Sequence, residues 1–392
     1  MKSEASSAKR LALRGVLVLL ALLLNLLPPV WPGGRGGIAP GFRVPAPLPP
    51  VSATPFFHEE ILNPDSSLPK AHVASICSLP GGRIAAAWYA GSVEGARDVA
   101  IFLSTRAPRE STWSTPRAIV TRESAARDLH RVIKKVGNAV LFAEPTGRLV
   151  LLYVTITVGG WSGSSLNLTT SVDAGATWTP SQRLTLSPFF NLSELVKNAP
   201  VALENGGWAV PIYHEFIGRF PEVLWLRPVG RDFRGAKSRI SGGAAEFQPA
   251  LAALNTNIAL AFMRDLSPRM KITMARTVDA GKTLAVPEAL DLPNADSGLA
   301  ALRLADGRVL LTFNDSSRGR ENLRLAISAD AGKTWRRVAT LGEEAGREFG
   351  YPYLMQSGDG HIHVVYAWER KFIHHLEFNP AWLAEQERAS AP

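Results

Sequence analysis

The sequence predicts an all-β protein whose main domain is a six-bladed β-propeller, preceded by an N-terminal hydrophobic segment and a proline-rich linker. Two observations predict this fold. An apolar hairpin recurs six times along the chain, and a short turn motif recurs between the hairpins. Long helical periodicity is absent from the same region, and several of the ten tryptophans lie in turn-rich stretches. This composition favours many short strands over a helical bundle.

The N-terminal region has the layout of an export signal followed by a spacer. Lys9, Arg10 and Arg14 precede the apolar run 15–27, as in the basic and hydrophobic regions of a signal peptide. We expect residues 1–31 to be a signal peptide or an uncleaved signal anchor, with a cut near Ala53 as the alternative. Residues 32–53 are rich in proline and glycine and predict a semi-rigid linker. The protein is then exported, either anchored and facing the periplasm or extracellular side, or secreted.

Six segments of the remaining chain share one pattern, an apolar strand, a tight turn and a second apolar strand. They begin at positions 72, 138, 198, 248, 298 and 351, so successive starts lie 50 to 66 residues apart. This spacing is the length of a four-stranded blade with its loops. We therefore predict that residues 54–383 form the propeller, that its two chain ends close one blade, and that residues 384–392 form a C-terminal tail.

The charge distribution argues against nucleic acid as a partner. The formal net charge is +9, but six basic residues and one acidic residue place +5 of it in the first 55 positions. The rest of the chain has no run of lysine or arginine of the kind that nucleic-acid binders use. We expect a monomer that contacts a membrane only through its N-terminal segment.

The cysteine and histidine content predicts no cofactor and no required metal. Cys77 is the only cysteine, which excludes a disulfide within the chain and a cysteine-built metal site. His361 and His363 fall where a repeat strand is predicted and fit β packing. His374 and His375 lack a carboxylate partner at a useful spacing.

Polar residues at the heads of the innermost strands predict a ligand pocket on the propeller axis. Counting back nine positions from the turn glycine or asparagine of each hairpin leads to one residue per blade, and five of the six are polar. Propellers form pockets where such residues surround the axis, although satisfying backbone groups at strand entry is an alternative role. The six residues are His72, Asn138, Asn198, Gln248, Gly298 and Tyr351. The second strands also end in polar pairs, namely His214-Glu215, Arg264-Asp265 and Asn314-Asp315.

A second repeat marks the turns between outer strands. The pattern S-x-D-x-G-x-T-W occurs in full at 171–178 and 328–335, and a worn copy, TVDAGKTL, occupies 277–284. In such a turn the aspartate bonds backbone amides, the glycine takes positive φ and the tryptophan packs on the blade. Because the motif repeats in several blades, it cannot mark a single active site, and we interpret it as structural.

With this spacing the motif is similar to the Asp box of the sialidase and BNR-repeat superfamily, over about residues 54–383. The resemblance implies that the axial pocket binds a glycan and hydrolyses a terminal acidic sugar, such as a sialic or related nonulosonic acid. It also implies arginines that hold the sugar carboxylate with paired donors. Arg264 resembles the second of three such arginines and Arg320 the third, with Arg318 as the neighbouring alternative.

The same resemblance implies the catalytic groups. Tyr351 is similar to the tyrosine nucleophile that sialidases use, and Tyr353 is then a packing neighbour. Asp98 lies in the loop that supplies the general acid/base, with Glu94 as the fallback. Catalysis requires Asp98 and Tyr351 to meet the two arginines in space.

Two departures from the family pattern alter the predicted pocket. His72 stands where the family has its first arginine, so the carboxylate clamp lacks one member. Gln248 lies 16 residues before Arg264, where the family has the glutamate that deprotonates the tyrosine, and Glu246 or Glu215 is the candidate to replace it. The pocket therefore resembles a divergent branch described as predicted neuraminidases. Alternatives are a hydrolase of another carboxylated sugar, of uronate or Kdo type, and a non-catalytic glycan-binding propeller.

Overall fold

The structure is a computed structural model that describes residues 12–20, 23, 40–48, 52–64, 67–108, 110–187, 191–230, 232–241 and 245–390. Most of the predicted signal segment, residues 1–31, and much of the predicted linker lie outside these described residues. Residues 12–20 are helical. Among the helices that the structure describes, none is long and apolar enough to cross a membrane.

Six antiparallel sheets form the blades of a propeller, which confirms the predicted fold. Blade 1 contains β2 (Lys70–Ser78), β3 (Ile84–Gly91), β4 (Ala100–Arg106) and β5 (Arg117–Val120). Blade 2 contains β6 (Lys135–Ala143), β7 (Leu149–Ile156), β8 (Ser164–Ser171) and β9 (Gln182–Arg183). Blade 3 contains β10 (Leu195–Val196), β11 (Val201–Ala202), β12 (Trp208–His214), β13 (Phe220–Val229) and β14 (Asp232–Arg239).

In all six blades the strands are named in order from the axis outward. Blade 4 contains β15 (Glu246–Ala253), β16 (Ala259–Asp265), β17 (Lys271–Thr277) and β18 (Glu288–Pro293). Blade 5 contains β19 (Ala300–Arg303), β20 (Val309–Phe313), β21 (Asn322–Ser328) and β22 (Arg336–Glu343). Blade 6 contains β23 (Phe349–Gln356), β24 (Ile362–Trp368), β25 (Phe372–Phe378) and, at its outer edge, β1 (Phe57–Ile61).

Blade 6 is built from both ends of the domain. Strand β1 pairs antiparallel with β25, from Phe57 opposite Phe378 to Ile61 opposite His374. The first strand therefore completes the last blade, and its five backbone pairings hold the ring closed. In the described part of residues 52–390, two short α-helices lie outside the sheets, Arg122–Leu129 between blades 1 and 2 and Pro380–Ala389 after blade 6.

The core lies between the blades. All eight residues of the second strand of blade 2, β7, are buried, because this strand is covered on both faces by neighbouring blades. A strand buried on both faces reads as a continuous apolar run, which explains why the six hairpins were visible in the sequence. The outermost strands, such as β22, mix exposed and buried residues.

The two full copies of the turn motif adopt the same hydrogen-bonded structure. In the first copy Asp173 accepts from the backbone N–H of Thr177 at 2.8 Å, and Trp178 Nε1 donates to the Gly175 carbonyl oxygen at 3.0 Å. The matching distances in the second copy are 2.9 and 3.1 Å. The motif glycines have φ of 88° and 86°, values that strain other residues.

Part of the predicted linker lies against the propeller. Phe42 is buried, its N–H donates to the carbonyl oxygen of Thr256 at 2.9 Å, and it forms a bridge with Leu203. Its ring centre lies 6.2 Å from that of Trp225. Thr256 belongs to the first hairpin turn of blade 4 and Leu203 to that of blade 3, so residues 40–48 join these two blades at the end opposite the strand heads.

Candidate active site

The structure moves two of the six predicted strand-head positions by one residue. The backbone hydrogen bond that closes each first hairpin turn joins residues 79 and 83 in blade 1 and residues 203 and 207 in blade 3. Gly82 and Gly206 are therefore the equivalent turn residues. Counting back nine positions from them leads to Val73 and Lys197, the neighbours of the predicted His72 and Asn198. Both turns contain two consecutive glycines, and the count began from the wrong one. The six equivalent residues are Val73, Asn138, Lys197, Gln248, Gly298 and Tyr351.

Four of these residues share an unusual backbone conformation. Each lies in a bulge of an innermost strand, and each has positive φ although it is not glycine. Such a conformation costs about 1–3 kcal/mol and is found where a site requires it. The residues and their φ values are Val73 (46°), Asn138 (45°), Gln248 (50°) and Tyr351 (55°).

Side chains from several blades meet at the axis. A Cβ built on Gly298 would lie 3.4 Å from Tyr351 Cδ1, 3.5 Å from Gln248 Oε1 and 3.6 Å from Lys197 Cε. Gln248 Nε2 donates to the hydroxyl of Tyr213 at 3.0 Å. Asn138 Nδ2 donates to the same hydroxyl at 3.2 Å. Lys197, Gln248, Gly298 and Tyr351 therefore lie together at the strand heads, and the sequence did not reveal Lys197 as one of them.

Tyr351 is half-buried in this cluster. Its ring centre lies 4.5 Å from that of His72, in an edge-on arrangement, and 5.8 Å from the guanidinium carbon of Arg320. The Tyr351 hydroxyl makes no hydrogen bond to any residue that the structure describes. Tyr353, by contrast, is fully buried in the core between blades. Of the two tyrosines, Tyr351 is the one available to a ligand.

The two predicted arginines lie on either side of Asp296. Arg264 is buried, its Nη1 donates to Gln248 Oε1 at 3.0 Å, and its Nε lies 2.9 Å from Asp296 Oδ1. Arg320 donates through Nη2 to the carbonyl oxygen of Asp296 at 2.9 Å and through Nη1 to Glu348 Oε1 at 2.9 Å. The alternative, Arg318, is exposed.

A third arginine, which the sequence analysis missed, faces the same site from blade 6. Arg370 donates through Nε to Glu348 Oε2 at 2.9 Å and through Nη1 to Glu94 Oε2 at 3.0 Å. It lies with Glu369 in the three-residue turn between β24 and β25, and both Glu369 and Arg370 have positive φ. The position of this turn in the repeat could have revealed Arg370. The second strand of a blade ends at the same end of the propeller at which the first strand, here the one that carries Tyr351, begins.

The structure separates the two candidate acids. Asp98 is exposed, and its carboxylate accepts from the backbone N–H and the hydroxyl of Ser92, both at 2.9 Å. The hydroxyl bond is the main cause that holds the pKa of Asp98 below its usual range. Glu94 instead lines a small cleft together with His72 and Arg370. Glu94 therefore shares neighbours with Tyr351, whereas the contacts of Asp98 are with Ser92.

His72 contributes an uncharged ring to this cleft. It is buried, and its Nδ1 has no hydrogen-bond partner among the described residues. Burial lowers the pKa of His72 to about 3, and the charge of Arg370 adds to this effect. At neutral pH the ring cannot replace the charge of an arginine.

The remaining predicted residues have other partners. Asn198 Nδ2 donates to the Pro249 carbonyl oxygen at 2.9 Å. His214 stacks on Phe220, and burial lowers its pKa to about 3. Glu246 pairs with Arg269 at 3.2 Å.

Glu215 is the better placed of the two carboxylates proposed to replace the missing base. Burial raises its pKa, and the charges of Arg264 and Arg219 oppose that effect. A carboxylate with a raised pKa accepts a proton more readily. Glu215 directly follows β12 of blade 3, and its charge interacts with that of Arg264 at the end of β16 in blade 4.

Three residues of blade 6 lie close enough to hold a metal ion, His363, His375 and Glu377. Their contacts are those of a hydrogen-bonded chain. His363 Nδ1 and His375 Nε2 lie 3.0 Å apart, and His375 Nδ1 lies 2.9 Å from Glu60 Oε1. The sequence analysis paired no carboxylate with His375, yet Glu60 lies opposite it on β1.

A six-bladed propeller with Asp-box turns and a polar axial pocket defines a sialidase-like protein. The model of the BNR repeat-like domain family matches residues 82–364, and the chain belongs to this family and to the sialidase-like BNR propeller superfamily. No curated protein sequence matches the chain.

Solved structures similar to this chain share its fold at low sequence identity. A protein of unknown function from Dyadobacter fermentans is 15% identical, with 82% of this chain and 97% of that chain covered and a TM-score of 0.66. The Hadza microbial sialidase Hz136 is 17% identical, with coverages of 79% and 65% and a TM-score of 0.65. The intramolecular trans-sialidase from Ruminococcus gnavus is 13% identical, with coverages of 83% and 98% and a TM-score of 0.64.

Proposed function

We propose that this protein is an exo-glycosidase that removes a terminal acidic sugar from glycans. The observation that carries the proposal is the setting of Tyr351 at the propeller axis, where its backbone has positive φ and its hydroxyl has no hydrogen-bond partner among the described residues. Arg320 lies over its ring and Arg264 lies across Asp296 from Arg320. A nucleophile beside guanidinium groups suits a sugar whose anomeric carbon carries a carboxylate.

The proposed reaction has two steps. The Tyr351 oxygen forms a bond to the anomeric carbon while the bond to the leaving oxygen breaks and that oxygen receives a proton from the acid. Water then releases the sugar, with the acid acting as base. A neutral phenol suits the attack because a carboxylate nucleophile would meet repulsion from the sugar carboxylate. Glu215 is the candidate to accept the phenol proton.

The acid comes from the loop that contains Glu94 and Asp98. We favour Glu94, because it shares a cleft with His72, which contacts Tyr351. Asp98 remains the alternative. To act as the acid, Asp98 would have to release its two hydrogen bonds to Ser92, and Glu94 its ion pair with Arg370.

Another carboxylated sugar is the second candidate substrate. The neutral His72 stands where the family resemblance implies an arginine, and a pocket altered in this way suits an acid of different shape, such as a Kdo-type sugar or a uronate.

The experiment is hydrolysis of a panel of 4-methylumbelliferyl glycosides by the full chain. The panel contains N-acetylneuraminic acid, Kdo, glucuronic acid and, as the neutral control, galactose. We expect release from at least one acidic sugar and none from galactose, with release abolished in Tyr351→Phe. No release from any acidic sugar by the folded protein would leave glycan binding without catalysis as the better account.

We also propose that the domain acts outside the cytoplasm, on the basis of the basic and apolar N-terminal segment. Protease added to intact cells of a Gram-negative host with a permeabilised outer membrane should digest the propeller. Protection of the propeller under those conditions would contradict export.

A further inference from the structure

The carboxylate of Asp296 lies beside the Nε edge of the Arg264 guanidinium, in an ion pair that is not aligned as a hydrogen bond. Asp296 Oδ1 lies 2.9 Å from Arg264 Nε, and the Asp296 side chain is 36% exposed while that of Arg264 is 9% exposed. The remaining polar contact of Arg264 is with Gln248, through Nη1 at 3.0 Å. A guanidinium binds a carboxylate best through two parallel N–H groups. A ligand carboxylate that approaches Arg264 therefore meets a carboxylate that belongs to the protein.

The backbone fixes Asp296 in this position. Asp296 has a φ of 49°, a conformation that aspartate and asparagine tolerate better than most residues. Asn294, which is buried, accepts from the backbone N–H of Ser297 at 2.9 Å and donates to its carbonyl oxygen at 3.1 Å. The carbonyl oxygen of Asp296 itself accepts from Arg320 at 2.9 Å. The loop is thus clamped on both sides of the aspartate.

Charged groups from three parts of the fold face Asp296. Arg264 comes from the end of β16, Arg320 from the loop before β21, and both Arg219 and Glu215 from the loop between β12 and β13. Burial raises the pKa of Asp296, and the three arginines oppose that rise. The net direction is upward, so the carboxylate takes up a proton at a higher pH than an ordinary aspartate.

We infer that Asp296 is a specificity-determining residue that competes with the carboxylate of an acidic sugar for Arg264. The inference rests on the proposed function. While Asp296 is ionised, two like charges share one guanidinium, and an acidic ligand is disfavoured relative to a neutral one. When Asp296 takes up a proton, the ligand carboxylate keeps its charge and gains the guanidinium. An acidic sugar therefore binds more tightly as the pH falls.

The test compares the affinity of the wild type and of Asp296→Asn for an acidic sugar analogue. Asparagine keeps the backbone preference and removes the charge. The probe is 2-deoxy-2,3-didehydro-N-acetylneuraminic acid, measured by calorimetry from pH 7.5 downward. We expect Asp296→Asn to bind about tenfold more tightly at pH 7.5, as expected for one removed like charge near a protein surface. The ratio of the two affinities should approach one as the pH is lowered, because Asp296 of the wild type takes up a proton and loses its charge. Glu215 titrates in both proteins and therefore does not change the ratio.

Asp291→Asn is the matched control. Asp291 lies on the outer strand of blade 4, is fully exposed and pairs with Lys271. This variant should bind like the wild type at every pH. Equal affinities of wild type and Asp296→Asn at pH 7.5 would overturn the inference and leave the proposed function standing. Absence of binding by both proteins at every pH would contradict the acidic-sugar specificity, and the inference with it.

Discussion

The ammonium of Lys197 donates a hydrogen bond of 2.5 Å to the carbonyl oxygen of Pro352, the residue that follows Tyr351. Its two other donors reach the Leu299 carbonyl oxygen at 2.7 Å and Asn198 Oδ1 at 2.8 Å. The side chain is fully buried and thereby joins blades 3, 5 and 6 at the axis. Burial lowers the pKa of Lys197, whereas three acceptors require all three N–H groups of the ammonium. The lysine therefore holds the bulge that carries Tyr351.

Replacing Lys197 with methionine should destabilise the protein, because two backbone carbonyl groups and one amide lose their buried donor. Each unsatisfied group costs about 1–3 kcal/mol, partly offset by removal of a buried charge. We expect the free energy of unfolding, measured in urea, to fall by about 2–4 kcal/mol. Lys271→Met, at an exposed lysine paired with Asp291, is the control. Equal stability of Lys197→Met and wild type would show that Lys197 does not hold the bulge.

The acid is identified by substrates with different leaving groups. Umbelliferone departs without a proton, whereas the alcohol of sialyllactose needs one, so loss of the acid should affect the second substrate more. We expect Glu94→Gln to lower kcat about 100-fold or more on sialyllactose and much less on the umbelliferyl glycoside. Asp98→Asn should change both rates by a similar small factor. If Asp98→Asn, and not Glu94→Gln, slows sialyllactose hydrolysis much more than hydrolysis of the umbelliferyl glycoside, Asp98 is the acid.

The ion pair between His361 and Glu377 should make the stability of blade 6 depend on pH. His361 Nδ1 lies 2.7 Å from Glu377 Oε1, and this bond raises the pKa of His361. Because the folded pKa lies above the unfolded one, the stabilisation is present below about pH 6.5 and is lost as the pH rises through the folded pKa.

His361→Gln should therefore lower the melting temperature more at pH 5.5 than at pH 8.5. His58→Gln is the control, because His58 lies on β1 with a largely exposed side chain and a contact of only 4.0 Å to Glu60. An equal effect of His361→Gln at both pH values would rule out this ion pair as a source of stability.

Phe42 should stabilise the domain although it precedes the first strand. It packs on Trp225 beside Gly281, in the worn turn copy where Leu284 replaces the tryptophan of the full copies. Phe42→Ala should lower the free energy of unfolding by about 3 kcal/mol, the cost of a large buried aromatic side chain. Val286→Ala, at an 84% exposed position, should have no measurable effect. A Phe42→Ala protein as stable as the wild type would show that residues 40–48 contribute nothing to folding.

The propeller could be predicted because its signals are local and repeated. Paired apolar strands and the turns around Asp173 and Asp330 carry the same chemistry in each copy. Tyr351 could be predicted as well, because it is set by its position within a repeat. The strand head of blade 3 was misplaced by one residue, because its turn contains two adjacent glycines and the count began from the wrong one. Lys197 was missed for this reason.

The contacts of the site were harder to predict, because they join loops from different blades. Arg370 reaches Glu94 across 276 positions of sequence, and Asp296 gains its importance only from Arg264 in the neighbouring blade. Asp98 had the expected spacing, but the sequence did not show that Ser92 would bind its carboxylate. Spacing locates a side chain along the chain, whereas its partners depend on how the blades pack.

The central claim is that Tyr351 attacks the sugar, and a trapped intermediate tests it most directly. The full chain is incubated with 2,3-difluoro-N-acetylneuraminic acid, whose second fluorine slows release of the sugar from the enzyme, and is then digested and analysed by mass spectrometry. We predict one added sugar per chain, located on Tyr351 and absent from Tyr351→Phe. An adduct on another residue, or hydrolysis of the umbelliferyl sialoside without any adduct, would contradict the account.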